Sequence, residues 1–119
     1  MGTKIDLNIE NETSQKVDPD KIKSAIDSVL KEKNLEGEFE VDVKIVSIQE
    51  IHTLNREYRE IDKPTDVLSF PIYEKVDVTT SRPVLLGDIV LCPEMAEVDI
   101  YELIKHSTLH LLGYHHDGD

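Results

Sequence analysis

Four of the five histidines in this 119-residue chain fall within one stretch near its end, His106-Ser-Thr-Leu-His110-Leu-Leu-Gly113-Tyr-His115-His116. On a helix, His106 and His110 project from one face about one turn apart, the spacing at which two imidazoles share a zinc ion. Gly113 then permits the positive-φ turn that ends a helix, so the chain can bring a third histidine back towards the first two. The full pattern His-x-x-x-His-x-x-Gly-x-x-His closes on His116. Three neutral imidazoles hold Zn²⁺ at about 2.0–2.1 Å and leave a fourth position open, as in a catalytic centre. Zinc peptidases place a glutamate directly after the first histidine as general base, and here that position is Ser107. The stretch points to one Zn²⁺ per chain in a three-histidine site whose chemistry is not ordinary peptide hydrolysis.

The elements that must carry this site read clearly from periodicity. Ile5, Leu7 and Ile9 alternate with polar residues as a first strand. Asp18 before Pro19 starts a helix with a capping carboxylate and a proline at the first helical position. Ile22, Ala25, Ile26, Val29 and Leu30 follow at helical spacing, and the helix fades near Asn34. Phe39, Val41, Val43 and Ile45 alternate as a second strand. Ser47-x-x-Glu50 is a capping box, from which Ile48, Ile51 and Leu54 continue a helix to about Tyr58. Val67 to Phe70 and Gly87 to Cys92 are the third and fourth strands, each closed by a proline, with a loop over residues 72–83 between them. The last helix starts between Glu94 and Asp99 and carries the histidines. The fold class is α+β, in the order β-α-β-α-β-β-α: a mixed four-stranded sheet with helices packed on it and a metzincin-like histidine helix at the C-terminus. The helix between strands one and two favours a parallel crossover, and strands three and four form an antiparallel pair.

Composition bounds the rest. Residues 1–119 form one domain with an aliphatic core, since Trp is absent and aromatics make up 5%. A formal charge of −12 opposes nucleic-acid binding through the overall field, so RNA binding would need a local basic patch. No apolar leader stands at the N-terminus, and Asp6 occupies the place where a myristoylation motif needs Ser or Thr. Cys92 is the lone cysteine, which fits a reducing cytoplasm and a role as a small buried hydrophobe. His52 has no histidine near it in sequence and reads as a surface residue.

With these residues placed, the chain resembles the YbeY family of bacterial metal-dependent endoribonucleases and ribosomal RNA maturation factors. Three blocks carry the resemblance. The first runs from Leu54-Asn55-Arg-Glu-Tyr58-Arg59 through Lys63-Pro64-Thr65-Asp66-Val67-Leu68-Ser69-Phe70-Pro71. The second is Leu86-Gly87-Asp88-Ile89-Val90-Leu91-Cys92-Pro93-Glu94, and the third is the histidine stretch itself. The resemblance implies a single YbeY-like metal-dependent hydrolase domain with His106, His110 and His116 as zinc ligands and Arg59 facing the metal groove. It implies single-stranded RNA as substrate, in small-subunit ribosomal RNA maturation and ribosome quality control, with the small subunit or an assembly GTPase as further partners. Ser107 and His115 stand where the family has Gly and Asp, so two adjacent histidines compete as third ligand. The connection from Glu94 to His106 is also shorter than the family's, giving the domain a short C-terminal half.

A planar guanidinium grips phosphate at two points and stabilises charge on the transition state of phosphodiester cleavage, which is the role expected of Arg59. Candidates for the general base are a hydroxide on the metal, an RNA 2′-hydroxyl, or His115. Asp66 and Asp88 belong to the same blocks; near strand ends they read first as loop caps, and otherwise as residues that orient ligands or replace one. Arg56, Arg59, Lys63, Lys75, Arg82 and Lys105 could form the local basic patch. Two other functions compete: a metallohydrolase acting on peptides or small substrates, from the metzincin spacing, and a non-catalytic zinc-stabilised assembly factor. No reading involves a membrane.

Overall fold

The computed structural model describes residues 2–72 and 83–114. Within them the chain runs β1 (Thr3–Asn11), α1 (Pro19–Glu32), β2 (Gly37–Ile45), α2 (Ile48–Arg59), β3 (Val67–Pro71), β4 (Val84–Leu91) and α3 (Ile100–Leu111). A single 3₁₀ turn, Pro93–Met95, links β4 to α3. The order is the one that periodicity implied, and the four strands form one sheet in the spatial order β1-β2-β4-β3. β2 is parallel to both β1 and β4, while β3 runs antiparallel to β4 on the outer edge.

The helix starts follow from local chemistry. Asp20 N–H donates to the Asp18 carboxylate at 3.0 Å, Glu50 N–H to Ser47 Oγ at 3.2 Å, and Tyr101 N–H to the Asp99 carboxylate at 2.8 Å. Each side chain satisfies an amide that the helix itself leaves orphaned. The Tyr101 hydroxyl also accepts from Asp18 N–H at 3.0 Å, tying the start of α3 to the start of α1.

Strand alternation sorts the helices onto two faces. Phe39, Val41, Val43 and Ile45 point one way and bury against Ile22, Ile26 and Leu30 of α1 and Ile104 and Leu111 of α3. On the opposite face Leu68, Val90 and Cys92 bury against Ile51 of α2. The helices are therefore divided two to one, and β3 is the edge strand that both α2 and α3 contact.

The fourth strand starts at Val84, three residues before the Gly87 at which sequence reading began it. Gly87 is a mid-strand residue with φ of +133°. It sits where β4 passes under α3, and a Cβ there would run into the Phe70 carbonyl oxygen and lie 3.2 Å from Leu111 Cδ2. The expected loop over residues 72–83 falls, apart from its ends, outside the described residues.

Candidate metal centre

The histidine helix forms as the spacing implied. His106 and His110 are half-buried on α3, and their Nε2 atoms lie 3.0 Å apart with the ring planes at 67°. Two nitrogens bound to one tetrahedral zinc at about 2.0–2.1 Å would be about 3.3 Å apart. The observed separation is close to that value, so these residues fit the metal. α3 ends as Gly113 takes φ of +94°, with its N–H on the His110 carbonyl at 3.0 Å and Tyr114 N–H on the Leu109 carbonyl at 2.9 Å. The turn is the one the glycine was expected to make. His115 and His116, like Lys75 and Arg82, lie outside the described residues. Among the described residues no third His, Cys, Asp or Glu completes a metal cage with the pair.

The two histidines open onto a groove of about 670 Å³ whose lining also includes Arg59, Asp66, Ser69 and Leu103. α2, β3 with the residue before it, and α3 supply these residues. Arg59 is the last residue of α2, where Glu60 turns left-handed at φ of +60° and donates its N–H to the Arg56 carbonyl at 3.2 Å. The guanidinium reaches across the sheet edge: its Nη2 donates to the Ser69 carbonyl at 2.6 Å and its Cζ lies 5.2 Å from the centre of the Phe70 ring. This fixes the arginine over β3, and among the described residues the rest of its fork has no hydrogen-bond partner.

Ser69 has a second contact, because its hydroxyl meets the Ser107 hydroxyl on α3. Ser107 is fully buried, so the residue that replaces a peptidase glutamate serves as a packing and hydrogen-bonding contact between α3 and β3. Sequence reading missed this link. Its only signal was that both serines fall in the blocks that carry Arg59 and His106.

The other expected residues separate. Asp66 lines the histidine groove, its backbone fixed by the Cys92 N–H donated to its carbonyl at 2.8 Å. Asp88 does not join it. It lies on β4 opposite Asp42 of β2 and lines a different groove, on the α2 face. Partial desolvation of this solvent-facing group, then the charge of Asp42 and a hydrogen bond with it, raise the Asp88 carboxyl above its ordinary range. Strand alternation explains the split: Gly87 faces α3, so its neighbour must face the other way. His52 is on the surface, 2.8 Å from Asp62. Cys92 is buried, and desolvation pushes its thiol pKa up, as suits an unreactive core residue. Of the expected basic patch, Arg59 lines the histidine groove, whereas Lys105 pairs with Glu102 at 3.4 Å and Arg56 lies 4.0 Å from Asp62.

A family model described as Endoribonuclease YbeY matches residues 8–119. A Clostridioides difficile protein named Endoribonuclease YbeY is 41% identical over 115 residues, covering 84% of this chain and 73% of that protein. One of the same name from Rhizorhabdus wittichii is 44% identical over 96 residues, covering 67% of this chain and 57% of that protein. Among solved structures, the solution structure of a Thermotoga maritima protein superposes with a TM-score of 0.52 at 29% identity, covering 95% of this chain and 76% of that one.

Proposed function

The chain belongs to the endoribonuclease YbeY family, and from that premise we propose that it cleaves single-stranded RNA at a zinc site formed by His106, His110 and His116. His115 is the alternative third ligand. The observation that carries the proposal is the convergence of two half-buried imidazole nitrogens, 3.0 Å apart, on a groove that Arg59 also lines. Bound zinc would supply Lewis acidity towards a phosphate oxygen and a lowered pKa for an attacking water or hydroxyl.

The chain's own residues do the rest. Arg59 receives a non-bridging phosphate oxygen and holds the charge that builds as the oxygen–phosphorus bond forms and the ribose oxygen leaves. Its guanidinium is already fixed by the Ser69 carbonyl and Phe70, so little side-chain entropy is lost on binding. Asp66 lines the same groove as a carboxylate suited to orienting a histidine N–H or an attacking hydroxyl. A net charge of −12 means that phosphate is drawn by this local cation, not by the whole molecule.

We place the reaction in maturation of small-subunit ribosomal RNA in the cytoplasm, with the small subunit or an assembly GTPase as partner. Among the described residues no helix is long and apolar enough to cross a membrane. Peptide hydrolysis is the weaker reading, because Ser107 is buried against Ser69 and no carboxylate follows His106. The test is cleavage of single-stranded RNA by wild type, His110→Ala and Arg59→Ala. Both variants should lose about 100-fold or more in rate, the scale of removing one charge-stabilising donor. Cleavage that persists after zinc is stripped and His110 removed would overturn the proposal.

A further inference from the structure

A second groove lies on the other side of the edge strand, on the sheet face that α2 leaves partly uncovered. It has a volume of about 570 Å³, a wall of Tyr58, Phe70 and Leu54, and a polar floor that includes Asp42 and Asp88. Tyr58 is 61% exposed, unusual for so large an apolar surface, yet its ring is held edge-on against Phe70 with centroids 5.4 Å apart. Phe70 also lies 5.2 Å from the Arg59 guanidinium carbon, so Arg59 on the histidine groove and Tyr58 on this one share a single supporting ring. The floor is acidic on balance, with Glu10, Asp42 and Asp88 against Lys44, which is itself 3.7 Å from Glu12, and so disfavours phosphate, whereas the wall is a flat π-surface of the kind on which unpaired bases stack.

We propose that this groove is a nucleobase subsite: an unpaired base of the RNA stacks on Tyr58 while the neighbouring phosphate crosses β3 to Arg59 and the histidines. The inference deepens the RNA reading and rests on it. A base that enters this groove presents its polar edge to the Asp42 and Asp88 side chains, which hydrogen-bond each other while Asp42 also accepts from Asn8 Nδ2 at 2.9 Å, so the base meets their remaining lone pairs. Cytosine and other amino-bearing bases offer N–H donors to a carboxylate, whereas uracil offers carbonyl oxygens at the equivalent position. The subsite therefore selects single strands over duplexes, because a paired base cannot leave its stack to reach Tyr58, and it favours cytosine over uracil.

The chain contains no tryptophan, so Tyr58→Trp places one reporter at the proposed contact. Its fluorescence is titrated with oligocytidylate, oligouridylate and an RNA duplex of equal length, in the Tyr58→Trp protein and again with His110→Ala added. Saturable quenching by oligocytidylate is expected in both backgrounds, with oligouridylate on the order of 10-fold weaker and the duplex without effect. Tyr58→Ala, assayed for cleavage, should raise KM on the order of 10-fold and leave kcat within about twofold, while Tyr58→Phe retains the wild-type KM. Quenching equal for single strand and duplex, or equal for cytosine and uracil, overturns the subsite. Zinc-dependent cleavage with KM unchanged in Tyr58→Ala also overturns it and leaves the RNA reading standing. Specific quenching in a protein that never cleaves RNA upholds base binding and sinks the catalytic reading instead.

Discussion

Replacing Gly87 with alanine isolates the close approach on which the histidine groove depends. Two separate penalties apply. A non-glycine residue at φ of +133° is strained by about 1–3 kcal/mol. The added Cβ also meets the Phe70 carbonyl oxygen, sits 3.1 Å from Pro71 Cα and 3.2 Å from Leu111 Cδ2, and two of these neighbours are backbone. Backbone cannot rotate out of the way, so β3 must move from β4 or α3 must lift, an overpacking penalty of about 1–3 kcal/mol. Together the loss is about 2–6 kcal/mol, a large share of the roughly 5–15 kcal/mol that holds a domain folded. Gly37 provides the control, since its φ of +129° is nearly the same but a Cβ there meets nothing within 4 Å. Gly37→Ala should lose only the strain. Urea unfolding followed by circular dichroism measures both variants. Gly87→Ala should be less stable than Gly37→Ala by at least about 1 kcal/mol, the lower end of the overpacking range. Equal losses for the two would refute the assignment of a steric contact between β4, β3 and α3.

Further perturbations test other parts of the same frame. Asn55 is buried and donates to the Lys63 carbonyl at 2.8 Å, so Asn55→Ala should lose about 1–3 kcal/mol in urea unfolding and expose residues 60–66 to proteolysis. Glu60 occupies a left-handed position at the end of α2, and Glu60→Gly should raise stability by up to about 1 kcal/mol in the same assay. The Asp88 carboxyl is raised in the folded protein, so the fold binds its proton more tightly than the unfolded chain does. That contribution is present below the ordinary carboxylate pKa of 3.8 and is lost as pH rises through the folded value. Asp88→Asn should therefore raise the neutral-pH Tm by at most a few degrees, with the gain vanishing in acid, as scanning calorimetry across pH would show.

Local chemistry was legible in the sequence and cross-strand geometry was not. The Asp18-Pro19 and Ser47-x-x-Glu50 signals placed both helix starts because a cap and its amides are neighbours in the chain. The alternation Phe39, Val41, Val43, Ile45 placed β2 and its buried face for the same reason. The histidine pair was readable because helix geometry alone fixes residues four apart. Asp88 was set beside the histidines because it lies in a block that carries the family resemblance, and only the pleat of β4 sends it to the other groove. The grip of Arg59 on the Ser69 carbonyl depends on β3 being an edge strand, a property of sheet order. The start of β4 at Val84 was hidden by Gly87, which reads as a boundary but is a point of contact between layers.

At the far end of the sheet from the histidines, β1 leaves nine residues of strand edge without a neighbour among the described residues. Such an edge is a template for another copy, and what guards it here is charge: Lys4, Asp6 and Glu10 lie on the strand itself, within a chain of net charge −12. That guard depends on the solvent. As acid brings the molecule to its isoelectric point near 4.7, repulsion between copies falls away while the hydrogen-bonding edge remains. The protein should then be least soluble in mild acid, with turbidity that begins at the rim farthest from its chemistry.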